Sequence, residues 1–242
     1  MTIGQRFARL ATTVVVRAPA AWRLFRRPLT RAFDRLAPTW ETRISDERLR
    51  PILAALDALP EPPRRVLDVG TGTGRVARVA AERWPEAEVV GADVSPGMIE
   101  EARRLGGRVQ YDVADAATLP YGDASFDLLA LNNMIPFFDE LARVTAPGGH
   151  VVVAFTMGDK TPIYVPPDRI RSELGRRGFL HVAEFEEGGA GPACAQGRPV
   201  VTSGAQGRSR RGSTGPDVSF LRAARGYTAA ARRGSSVGRA HG

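Results

Sequence analysis

Apolar positions recur along this chain with two periods, and the points where the period changes divide it. Over residues 1–40, Phe7, Leu10, Val14, Trp22, Phe25, Leu29 and Phe33 interleave with Arg6, Arg9, Arg17, Arg23, Arg26, Arg27 and Arg31, a pattern that predicts short amphipathic helices. Ser45-Asp46-Glu47 sets a cap and early acids ahead of Leu49, Ile52, Leu53, Leu56 and Leu59, so a further helix is expected before Pro60, Pro62 and Pro63 end it. Short apolar runs then follow at 66–69, 88–92, 108–113, 126–131, 150–155 and 179–185. Helical stretches lie between them, opening at Arg75 and Ser95-Pro96 and covering 136–144 and 166–177. Strand and helix in strict alternation predict an α/β fold: a doubly wound, mostly parallel sheet with flanking helices.

The first apolar run, Val66, Leu67 and Val69, carries one acid, Asp68, and ends at Gly70, Thr71, Gly72 and Gly74 before the helix opens. Glycine is needed where a chain leaving a parallel strand turns sharply, and a side chain there would hold the backbone away from a ligand. The loop therefore reads as a ligand cradle, with backbone N–H groups of the new helix expected to face the ligand. The spacing is G-x-G-x-G, whereas the nicotinamide dinucleotide fingerprint is G-x-G-x-x-G. The second strand closes on Asp93, 19 residues after Gly74. A carboxylate there can accept both hydroxyls of a ribose; alternatively, Asp93 caps the helix that opens at Ser95-Pro96.

Charge is divided along the chain more sharply than its net +8 suggests. Residues 1–50 hold 11 Arg and 4 acids, residues 51–197 hold 14 Lys plus Arg and 21 acids, and residues 198–242 hold 9 Arg and 1 acid. The basic character that would suggest a nucleic-acid partner thus lies in the flanks, and the middle is acidic. Three parts are expected: a basic helical arm or lid over 1–44, a catalytic domain over 45–197, and a disordered Arg/Gly/Ser-rich tail over 198–242. The tail has a second reading, a slipped reading frame, because codons for residues 234–240 can spell a sequence resembling the D-arm of a tRNA gene. The longest apolar run of the arm, 10–16, is far below the ~20 residues of a membrane span, so peripheral contact with an anionic membrane is the most the arm predicts. One cysteine, Cys194, and three scattered histidines give no disulfide and no readable metal site, and point to a reducing cytoplasm.

Five marks in order resemble the Rossmann-like (class I) S-adenosylmethionine-dependent methyltransferases of the small-molecule and quinone-biosynthesis type. They are the Asp68-x-Gly70-x-Gly72-x-Gly74 loop, Asp93, Asp115-Ala116 after the third strand, Phe126-Asp127 opening the fourth, and Pro147-Gly148-Gly149 before the fifth. The resemblance implies S-adenosylmethionine as cofactor, lying across the carboxyl edge of the sheet. Asp68 would lie near its methionine portion, Asp93 and Val94 at the ribose, Asp115 on the adenine amino group, and the Ala116 N–H on a ring nitrogen. Asn132 and Asn133, at the end of the fourth strand, would lie beside the reactive methyl. Phe33-Asp34 followed by Trp40-Glu41 is similar to a family segment that closes the cofactor pocket, which makes Trp40 a candidate substrate-lining residue. Asn133 is followed by Met134-Ile135-Pro136, not by the Pro-Pro-aromatic sequence of amino-methylating enzymes, so a small-molecule acceptor is expected and nucleic acid is not. The family also inserts a seventh, antiparallel strand beside strand six, and residues 193–198 lack the alternating bulky side chains for it, leaving that strand in doubt. No catalytic residue announces itself. A nicotinamide-dependent oxidoreductase, or a cofactor-binding protein inactive through a defective C-terminus, are the alternatives.

Overall fold

A computed structural model describes residues 2–184 and 200–204. Two helices begin the chain: α1 (Ile3–Arg17), with Thr2 and Gln5 exchanging side-chain and backbone bonds in a capping box, and α2 (Trp22–Leu36). Short 3-10 turns lead to α3 (Arg50–Asp57). The alternating part then runs β1 (Arg65–Val69), α4 (Arg75–Arg83), β2 (Glu88–Asp93), α5 (Pro96–Leu105), β3 (Gln110–Val113), β4 (Phe126–Asn132), α6 (Phe138–Val144), β5 (Thr145–Ala154), α7 (Pro167–Gly175), β6 (Phe179–Glu184) and β7 (Val200–Gly204).

The strands form one sheet in the order β3-β2-β1-β4-β5-β7-β6. Pairings from β3 through to β5 are parallel, and β7 lies antiparallel to both β5 and β6. The strand order reverses between β1 and β4, and the crevice outside the carboxyl ends at such a switch point is where open α/β sheets take ligands. Both faces of the sheet are covered. Leu67, Val69, Leu129, Leu131, Val151 and Val153 share one core with Ala11, Val15, Trp22, Leu29, Ile170 and Leu174. Val66, Leu128, Ala130, Val152 and Ala154 share the other with Ile52, Leu56, Val76, Ala80 and Ile99. Burial on both sides explains why these strands read as continuous apolar runs, since every second residue meets helices in either direction.

Two expectations are corrected here. Pro147-Gly148-Gly149 is a bulge inside β5, not a turn before it: the β4 register passes from Phe126↔Thr145 to Leu128↔His150. Gly148 takes φ +80°, and a Cβ on Gly149 would stand 2.9 Å from the Ala146 carbonyl and 3.0 Å from that of Asp127. The seventh strand is present, beginning two residues beyond the stretch where its alternation was sought. Val200, Val201 and Thr202 are β-branched and suit a pleated ladder, and their backbones pair with Val153, Val152 and Val151. The sheet therefore extends past residue 197, and the seven-residue span 198–204 is not wholly tail. The rest of the expected tail, with residues 234–240 on which the slipped-frame reading rests, lies outside the described residues.

Candidate functional site

The glycine loop is set by its own internal bonds. Gly70, Gly72 and Gly74 take φ values of +73°, +55° and +82°, a region that side chains enter at a cost. A Cβ on Gly74 would lie 2.6 Å from Cε1 of Tyr111, and one on Gly70 would lie 2.6 Å from the sulfur of Met134. Asp68 is 2 % exposed; its Oδ2 accepts from the Thr71 hydroxyl at 2.7 Å and from the Ala77 N–H at 3.1 Å. Burial pushes this carboxyl up to about 7. The acid thus staples the loop to the first turn of α4. Four of the loop's donors are spent: Gly70 and Thr71 N–H donate to the Ala92 carbonyl, Gly74 N–H to that of Thr71, and Gly72 N–H to Asp93. Of the N–H groups at the start of the new helix, that of Ala77 is taken by Asp68 and that of Arg78 by the Gly74 carbonyl.

Asp93 stands at the carboxyl end of β2, with Gly72 N–H on Oδ2 at 3.0 Å and Ser95 N–H on Oδ1 at 2.9 Å. The helix cap is Ser95, whose hydroxyl accepts from Met98 N–H, so the capping alternative for Asp93 fails. Each Asp93 oxygen accepts one of these bonds and keeps a lone pair for a further donor. Burial raises this carboxyl as well. One strand along, Asp115 follows β3, and Ala116 beside it is buried. Its Oδ1 accepts from the Ala117 N–H at 3.0 Å and from the Trp22 indole at 2.8 Å, while its Oδ2 pairs with Arg26 at 3.0 Å. A cavity of about 430 Å³ opens here, its floor Val94, Val113, Ala114 and Asp115 and its outer wall α2 residues including Arg26, Thr30 and Arg31.

A strap between α2 and α3 closes the crevice over the loop. Asp34 accepts from the Ser95 hydroxyl at 2.6 Å and from Gly97 N–H at 3.1 Å, tying α2 to the start of α5. Trp40 packs edge-on against Phe33, with ring centres 5.8 Å apart, and its indole nitrogen lies 3.4 Å from where a Gly72 Cβ would be. Glu41 accepts from the Thr73 hydroxyl. At the end of β4 the two asparagines part. Asn132 Oδ1 is buried without a hydrogen-bond partner. Asn133, at φ +55°, accepts from the Thr156 N–H and donates to the Thr156 hydroxyl. Its amide locks the end of β4 to the end of β5.

The structure thus brings Asp68, the glycine loop, Asp93, Val94, Asp115, Ala116, Asn132 and Trp40 to one edge of the sheet. Sequence reasoning missed Trp22 and Arg26 as partners of Asp115, although their i, i+4 spacing puts them on one face of a helix. It also missed Met134, which fills the space under Gly70.

Residues 66–149 match the family model described as Methyltransferase domain. A demethylmenaquinone methyltransferase of Deinococcus radiodurans is 42% identical over 111 residues, covering 41% of this chain and 46% of that protein. A malonyl-[acyl-carrier protein] O-methyltransferase of Geobacter sulfurreducens is 32% identical over 196 residues, covering 67% of this chain and 73% of that protein. The chain spans about half the length of the demethylmenaquinone methyltransferases it matches. Among solved structures, a SAM-dependent methyltransferase from Aquifex aeolicus superposes with a TM-score of 0.56 at 18% identity, over 69% of this chain and 97% of that one, a likeness of fold.

Proposed function

Because the chain belongs to the Rossmann-like, class I family of S-adenosylmethionine-dependent methyltransferases, we infer that it transfers the cofactor's methyl group to a small-molecule acceptor. The observation that carries this reading is the balance of donors and acceptors around the crevice. A dinucleotide's pyrophosphate calls for free backbone N–H groups at the loop, and those of Gly70, Thr71, Gly72 and Gly74 are spent within the protein. Acceptors are left at the crevice: a lone pair on each oxygen of Asp93, one on Asp115 Oδ2 beside Arg26, and the orphaned Oδ1 of Asn132. A ligand rich in hydroxyl and amine hydrogens suits that set, and this favours S-adenosylmethionine over the nicotinamide alternative.

In this reading Asp93 takes the ribose diol and Asp115 the adenine amino group, with the Ala116 N–H on a ring nitrogen. Val94, Val113 and Ala114 offer apolar walls to a flat ring. Gly70 and Gly72 let the backbone approach, and Trp40 covers Gly72. Asn132 faces the reacting end. The bound cofactor supplies a methyl on positively charged sulfur, open to in-line displacement; the chain's part is to align the acceptor and exclude water. No residue is assigned as a base. The relatives differ in the acceptor their names carry, a demethylmenaquinone and a malonyl-[acyl-carrier protein], so what they share is the methyl transfer. A cytoplasmic setting, with peripheral membrane contact through the N-terminal arm, completes the reading.

Calorimetry with S-adenosylmethionine, its demethylated product and NADH tests it. Asp93→Ala and Asp115→Ala should each weaken binding of the first two by about tenfold or more, the usual cost of a lost partner for a buried polar group, with melting curves checking the fold. Unchanged affinity in both variants, or tighter binding of NADH than of S-adenosylmethionine, would overturn it.

A further inference from the structure

We propose that α1 and α2 form a docking surface for an anionic lipid bilayer, with the outward edge of α1 entering the interface and the arginines of both helices holding the headgroups. This deepens the peripheral contact named above by assigning its residues and its lipid class. Helix α1 is apolar on two sides. Ala11, Thr12 and Val15 are buried against the domain, while Ile3, Phe7, Leu10 and Val14 recur at i, i+4, i+7 and i+11 and form a second stripe on another face. Ile3 is 89% exposed, Leu10 56% and Phe7 38%. On α2, Leu24 is 71% exposed, so four of the five large exposed apolar side chains among the described residues belong to these two helices. The Phe7 and Phe25 rings, 5.7 Å apart, join the helices beside that stripe.

The charges around it are of one sign. Arg6, Arg17, Arg23, Arg27, Arg31 and Arg35 are exposed and have no acidic partner among the described residues. Arg23, Arg27, Arg31 and Arg35 follow one another at four-residue intervals, a row of like charges that disfavours the helix in isolation. Over residues 1–40 the one acid is Asp34, and it is committed to Ser95 and Gly97. Arg9 and Arg26 point inward instead, to the Thr161 carbonyl at 2.7 Å and to Asp115 at 3.0 Å.

The pairing of features selects the partner. A nucleic acid would engage the arginines and leave Ile3, Leu10 and Leu24 in water. A second copy docked through the same face would bring the two arginine rows together. An anionic bilayer satisfies both, since aliphatic side chains enter the acyl boundary and guanidinium groups meet phosphate. No helix among the described residues is long and apolar enough to cross a membrane, so the helices lie along the surface.

The full chain should co-sediment with vesicles of mixed phosphatidylglycerol and phosphatidylcholine, bind phosphatidylcholine alone far more weakly, and release as salt is raised. At about fivefold per arginine, the combined Arg6→Gln, Arg17→Gln and Arg23→Gln variant should lose on the order of a hundredfold in partitioning. The Ile3→Ser, Leu10→Ser and Leu24→Ser variant should lose at least about tenfold, with S-adenosylmethionine affinity unchanged in both. Equal partitioning of wild type and variants, indifference to lipid charge, or self-association that these substitutions abolish would overturn the proposal. Vesicle binding that behaves as described in a chain that binds no S-adenosylmethionine would leave the docking surface standing and sink the methyltransferase reading.

Discussion

Asp68 is conspicuous in the sequence because it is the one acid in an apolar strand, and its carboxylate faces into the protein. Both of its hydrogen bonds, from Thr71 and Ala77, fall on Oδ2 and hold the loop against α4. Its folded pKa of about 7, against an ordinary 3.8, is set first by burial. Between those values the folded chain holds a proton that the unfolded chain has lost, so stability falls as pH rises through the window. The cost is absent below the lower value and complete above the upper, on the order of 4 kcal/mol. Asp68→Asn keeps an acceptor for Thr71 and Ala77 and cannot ionise. Urea midpoints measured between about pH 5 and pH 8 should therefore fall less with pH in the variant than in wild type; parallel slopes would show that Asp68 titrates normally. Asp93 is raised by burial in the same sense, and its charge adds to the rise at Asp68, so the difference between the two proteins carries that coupling as well.

Helix α2 is the element that changes most between sequence and structure. As a sequence it is a basic amphipathic helix; in the fold, its Trp22 and Arg26 occupy both oxygens of Asp115. If Asp115 takes the adenine amino group, Arg26 competes for Oδ2, and the competition is electrostatic. Arg26→Gln should then raise S-adenosylmethionine affinity several-fold, and added salt should raise it in wild type but not in the variant, both readable by calorimetry. A fall in affinity would show instead that Arg26 helps hold the ligand. The segment that follows Asp115 is held from α6, where Arg143 reaches the Leu119 and Tyr121 carbonyls and Glu140 accepts the Leu119 N–H. Asp93 and Asp115 were legible in the sequence because strand ends fix their distance from the glycine loop. Trp22 and Asp115, 93 residues apart, have no such local rule. For Asn133 the place at a strand end could be read, while the direction of its amide, set by a left-handed backbone and by Thr156 across the sheet, could not.

For the molecule as a whole, the deciding element is β7. Without it, β5 would be an edge strand, with the backbone of Val151, Val152 and Val153 unpaired and apolar neighbours on both faces, a template for aggregation. Alternation pointed to the wrong place because residues 193–198 carry no strand signal and the β-branched triplet at 200–202 is short. An antiparallel insertion between β5 and β6 is a long-range pairing that periodicity alone does not reveal. The strand pairs along four positions with β5 and continues along β6, so its backbone bonds belong to the sheet and not to a tail. A chain ending at Gly197 should therefore melt several degrees below one ending at Gly204 and aggregate more readily on heating. The seven residues 198–204 carry one arginine, so charge does not account for such a difference. Calorimetric melting and light scattering of the two chains compare them directly. Equal melting temperatures and equal scattering would mean that β5 needs no partner on that side, and that the domain is complete at 197 after all.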